Sequence, residues 1–197
     1  MARASHKNQI LTVGMQVVNA QGFAGASVRD IVQAAGVPQG SFTNHFASKE
    51  AFGLEVIDLY YANRLNVINA TLRNDALPPL ERLRAYLDAG INRLNQNNMR
   101  DGCLFGNFMA EASGWSEPIR RRLVEVLGEI QQSIAYCLRA AVNADRLAGD
   151  TDCDEMAAFI LASMQGAILL AKAQHDPAPA ERFRDMLFST ILRRDSD

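Results

Sequence analysis

Little in this chain of 197 residues suggests redox, metal or membrane chemistry. Its three cysteines, Cys103, Cys137 and Cys153, form no CxxC pair, and their odd count argues against a disulfide framework. The three histidines, His6, His45 and His175, are scattered, so neither cysteine nor histidine spacing forms a zinc site. There is no HExxH and no P-loop. We therefore expect no metal and no cofactor. Six prolines and thirteen glycines are too few for linkers or collagen-like repeats. Neither charge sign dominates: 20 basic residues face 22 acidic ones. The longest apolar run, Ala157 to Ala171, contains Ser163 and Gln165 and falls short of the ~20 residues a membrane span needs. It reads as a buried helix. The first ten residues, MARASHKNQI, lack the apolar stretch of a signal peptide. The expectation is a cytoplasmic protein with no membrane partner. Strand-like alternation between turn residues is also missing.

What is present is helical periodicity. Apolar residues are 48% of the chain, enough for a core. The charge is uneven: within the first fifty residues Arg3, Lys7, Arg29 and Lys49 outnumber Asp30 and Glu50, and the remainder is acidic. A basic head on an acidic body suggests two jobs. A first helix is expected from about Ser5 to Gln21, closed by Gly22. Ser27-Val28-Arg29-Asp30 has capping-box form, so a second helix starts there and stops at Gly36. Pro38 suits the start of a short third helix through Phe46. Ser48 caps a fourth, to about Arg73. A fifth runs from about Leu80 to Leu94 and breaks at Asn95-Gln96-Asn97-Asn98. A short helix from Cys103 to Ala112 and a long one from near Pro118 to Arg146 follow. Asp152 caps the next, to about Gln174, and the last spans Ala180 to about Arg193. The fold class is all-α.

Two short helices around Ala35-Gly36-Val37 match a helix-turn-helix, whose second helix enters the major groove while the first braces it. Phe42 and Phe46, four apart, should face inward. That leaves Gln39, Ser41, Thr43, Asn44 and His45 for groove or backbone. Gln and Asn can hydrogen-bond adenine, and Thr can touch a thymine methyl.

The stretch from Gly22-Phe23 through Ser27-Val28-Arg29-Asp30-Ile31, Ala35 to Phe46 and Lys49-Glu50-Ala51-Phe52 resembles the DNA-binding head of the TetR family of repressors. The resemblance implies an N-terminal three-helix head, residues 1–50, and a helical ligand-binding and dimerisation body, residues 51–197. It implies that Ser27 caps its helix and touches phosphate, and that Arg29 reaches a base or phosphate. Gln39, Gly40, Ser41, Thr43 and Asn44 would line the groove, with His45 and Lys49 near phosphates. Family members usually carry tyrosine where Thr43 stands, so their base preference does not transfer.

The implied partners are a double-stranded DNA operator, a second copy of the chain and a small-molecule inducer. Two apolar stripes suit a four-helix dimer seam. One holds Phe159, Ile160, Met164, Ala167 and Ile168. The other holds Phe183, Met186, Leu187 and Ile191. Candidates for pocket walls are Tyr60, Phe105, Phe108, Met109, Trp115 and Tyr136. The segment from Asp101-Gly102-Cys103-Leu104 to Glu111, with Gly166-Ala167 and Ala171-Lys172, is similar to the branch holding the N-ethylmaleimide-responsive and acrylate-responsive repressors. The resemblance implies Cys103 as a thiolate sensor of electrophiles or oxidants, assisted by Lys172. Release by a reversible ligand, such as a drug or small acid, is the alternative. A cysteine-dependent enzyme is a remote one, because no histidine lies near Cys103 in sequence to serve as base. We expect no enzyme.

Overall fold

The computed structural model describes residues 6–96 and 98–192. It has nine α-helices among these residues and no strand. They are α1 His6–Gln21, α2 Val28–Ala34, α3 Gly40–Thr43, α4 Lys49–Ala70, α5 Pro79–Gln96, α6 Leu104–Glu111, α7 Glu117–Asn143, α8 Cys153–Gln174 and α9 Ala178–Met186. A π-helical turn, Leu187–Ile191, extends α9. Ser5, Asn97 and Arg193, placed at expected helix limits, lie outside the described residues.

Local chemistry explains most boundaries. Ser27 and Asp30 form the capping box: the Ser27 hydroxyl accepts from the Asp30 amide at 3.1 Å, and the Asp30 carboxylate accepts from the Ser27 amide at 2.9 Å. Ser48 accepts from the Ala51 amide, and Asp152 from the amides of Asp154 and Glu155. Gly36 closes α2 at φ +64°, where a side chain would strain the backbone. Three helices are shorter than expected. Helix α3 has one turn, beginning at Gly40 rather than Pro38. Helices α4 and α7 end at Ala70 and Asn143, three residues early, and a turn follows each.

The chain divides into two compact units. The first comprises Met1–Asn63 and Cys103–Glu125, the second Arg64–Gly102 and Val126–Asp197. In the first, Phe42, Phe46 and Phe52 pack ring on ring at 5.1–5.5 Å beneath the helix-turn-helix. Both Phe42 and Phe46 are buried as their spacing predicts. In the second, Ile91, Leu94, Met99, Ala171 and Ala180 join α5, α8 and α9 in one apolar cluster. Arg82, buried there, donates to the Leu77 carbonyl and pairs with Asp75, which also accepts from the Tyr136 hydroxyl.

Helix α8 departs from the expectation of a buried helix. Its 22 residues make it long and apolar enough, by length and composition, to cross a membrane. Only one strip is buried: Ala157, Ile160, Leu161, Ala167 and Ala171. The opposite strip, Phe159, Gly166 and Leu170 at i, i+7 and i+11, faces outward, with Phe159 48% and Leu170 55% exposed.

The capping box makes acid stability a test. Hydrogen bonds from Ser27 hold the Asp30 carboxyl below the usual aspartate range. A lowered folded-state value stabilises above the unfolded value and stops doing so as pH falls through the folded one. Ser27→Ala should cost about 1 kcal/mol at neutral pH. That deficit should shrink as pH drops below about 4 in urea unfolding followed by circular dichroism.

Candidate nucleic-acid interface

The helix-turn-helix presents a compact polar surface over its aromatic base. Arg29 on α2, and Gln39, Gly40, Thr43, Asn44 and His45 on and around α3, are all exposed, as is Ser27. Each is free of the inner packing because Phe42 and Phe46 take the inward positions of that turn. Thr43 donates its hydroxyl to the Gly40 carbonyl at 3.1 Å.

Two expected contacts are placed differently. Ser41 is 8% exposed and its hydroxyl lies 3.4 Å from His6 of α1. Lys49 is half-buried. Its ammonium donates to the Ala24 carbonyl at 3.3 Å and sits 4.9 Å over the Phe23 ring. Burial pushes its pKa down, while Glu111 and Asp30 act to raise it.

The loop between α1 and α2 is held from a distant part of the sequence. Glu111, at the end of α6, accepts from the Ala24 amide at 2.8 Å. Phe108 stacks against Phe23 at 4.8 Å, and Trp115 lies parallel to Phe23 at 6.0 Å. Ser116 donates to Glu50 at 2.7 Å. No local signal in the sequence pairs residues so far apart.

Of the six pocket candidates, five lie in the first unit and Tyr136 in the second. Tyr60 and Phe105 meet edge to face in the first unit, at 4.8 Å, and Phe108 is core beneath the head. Met109 is half-buried. Trp115 is 60% exposed, and Tyr136 is exposed in the second unit with its hydroxyl on Asp75. A cavity of about 20 Å³ in the second unit is lined by Leu87, Ile91, Met164, Ala167, Ile168 and Phe183, among others. That is room for about one water.

Residues of both apolar stripes line this cavity. Met164, Ala167, Ile168 and Phe183 face α5 of their own subunit. Ile160 and Leu187 are fully buried. Of the nine, Phe159, Met186 and Ile191 remain exposed. The helical period is the reason: a helix apolar all round does not reveal which face its own subunit covers.

Cys103 is the N-cap residue of α6, buried in the first unit, and Lys172 is half-buried in the last turn of α8 in the second. Burial pushes the Cys137 thiol up to about 11, and it pushes Cys153 up as well. No metal-holding group of His, Cys, Asp or Glu occurs among the described residues.

A bihelical reading head on an aromatic base, joined to a larger helical part, defines a helix-turn-helix regulator of transcription. The chain belongs to the TetR family: residues 10–56 match the bacterial regulatory proteins of that family, and residues 79–187 match the tetracyclin repressor-like C-terminal domain. It is a DNA-binding regulator and not an enzyme. It is 35% identical to the HTH-type transcriptional repressor DhaR of Mycobacterium sp. (strain GP1), over 98% of this chain and 95% of that one. It is 30% identical to the transcriptional regulator AcuR of Cereibacter sphaeroides, over 92% and 83%. The crystal structure of reduced NemR from E. coli superposes with a TM-score of 0.84 at 26% identity, covering 92% and 94%.

Proposed function

We propose that the chain is a repressor that binds a palindromic double-stranded DNA operator as a homodimer and leaves it when a small molecule binds. Residues 1–50 read the DNA, and residues 51–197 take the ligand and dimerise. The observation that carries this reading is the exposed set Arg29, Gln39, Thr43, Asn44 and His45 on a rigid aromatic base. A four-residue recognition helix offers few phosphate contacts, and two-fold pairing of heads is the usual remedy. The outward apolar strip of α8 supports such pairing, and a cytoplasmic regulator would cover it with a second copy.

Gln39 and Asn44 supply base-edge hydrogen bonds, and Arg29 and His45 meet phosphate. Selection of duplexes from a random pool tests this. Arg29→Ala should bind all selected sequences more weakly and reduce the salt slope by about one. Gln39→Ala or Asn44→Ala should change which sequences are selected. Failure of the parent protein to select any duplex would remove the reading.

For the inducer, the electrophile reading places the reaction at Cys103, with Lys172 assisting. The raised Cys137 and Cys153 thiols are poor nucleophiles. A reversible ligand is the second reading, favoured by the burial of Cys103 at 9% exposure, which restricts access of reagents. Treatment with N-ethylmaleimide, followed by intact-mass analysis and an operator-release assay, separates the two. Under the electrophile reading Cys103→Ser stays bound, whereas Cys137→Ser and Cys153→Ser are released like the parent. Equal release of Cys103→Ser leaves the reversible ligand.

A further inference from the structure

The backbone of Ala24 is held by opposite charges from two helices, at its N–H and at its C=O. Glu111 of α6 takes its N–H at 2.8 Å, and Lys49 of α4 reaches its C=O at 3.3 Å. Ala24 lies four residues before Val28, where α2 begins. The loop is shaped to admit the carboxylate. Gly22 stands at φ +82°, and a Cβ there would fall 2.5 Å from a Glu111 oxygen. Phe23, between them, is covered by Phe108 and by Trp115, whose indole N–H donates to the Glu111 carbonyl at 2.7 Å.

We propose that Glu111 is a positioning residue for DNA binding, a latch by which α6 sets the angle of the helix-turn-helix through Ala24. It touches no DNA. The α1–α2 loop has little packing of its own beyond Phe23 and Ala26, so its position follows the groups that hold it. Movement of α6 draws the Glu111 carboxylate off the amide and frees the loop. Trp115, the only tryptophan in the chain, reports that event because its ring rests on Phe23. The latch adds to the DNA-reading role of the head and is independent of how the inducer acts.

The test separates reach from charge. Glu111→Gln keeps an acceptor at the same distance without charge. Glu111→Asp keeps the charge but draws it back by one methylene. A labelled duplex chosen from those the parent selects out of a random pool is the probe, read together with Trp115 emission and hydrogen exchange at the Ala24 amide. Glu111→Gln should bind within about threefold of the parent, with Ala24 protected. Glu111→Asp should bind roughly tenfold more weakly, with shifted emission and fast exchange at Ala24. An Asp variant that binds like the parent overturns the latch. So does one that loses affinity with Ala24 and Trp115 unchanged, since that loss would come from elsewhere. If the parent selects no duplex, the DNA-binding role fails instead.

Discussion

Replacing Phe159 and Leu170 together by glutamate should leave the helices folded, turn the protein into a monomer, and weaken operator binding by roughly a hundredfold or more. Both side chains lie on the outward strip of α8 and are about half exposed. Two charges there cost the isolated subunit little, because water still reaches them. In a homodimer they would be desolvated opposite their own copies, and like charges would face each other across the two-fold axis. The large loss on DNA follows from linkage of two heads: each makes few contacts, and the second binds at the effective concentration set by the first. Sedimentation and a duplex titration would check both halves. Ile160→Glu gives the contrasting result. It sits one residue from Phe159 but is fully buried, so its charge enters the subunit's own core and the protein should unfold. A double variant that remains dimeric would move the interface away from this strip.

Phe108→Ala should destabilise the protein by about 3–5 kcal/mol, the range for emptying a buried aromatic site. Phe108 has no exposed surface, and its ring stacks on Phe23 beneath the loop entering the helix-turn-helix. Relaxation there is limited, since the loop is tied by Glu111 and Lys49 and the α1 side of the head is packed against Phe52. Chemical unfolding would measure the loss directly. Trp115→Ala removes a larger ring that also rests on Phe23, yet should cost about 1 kcal/mol or less, because most of that ring already faces water. Near-equal losses for the two would mean that Phe23 is held mainly by the tryptophan.

Much of this molecule is determined within short spans of its sequence. The capping box at Ser27 and Asp30, the glycine stop at Gly36 and the caps at Ser48 and Asp152 each act over three or four residues, and each appears where the pattern places it. The inward aromatic pair Phe42 and Phe46 is read from a four-residue spacing. Family membership follows from the same local motifs.

Tertiary structure alone decided three things. It decided which side of α8 the subunit keeps for itself, because a helix apolar on all faces carries no directional signal; hence Ile160, Ala167 and Ala171 are core, and Leu170 is surface. It decided that Ser41 and Lys49 turn partly inward, because α1 and the loop at Ala24 supply partners that neighbouring residues do not announce. It also decided that α6 belongs with the head. The bond from Ala24 to Glu111 spans 87 positions, and such a contact exists only once loop closure has brought the two segments together.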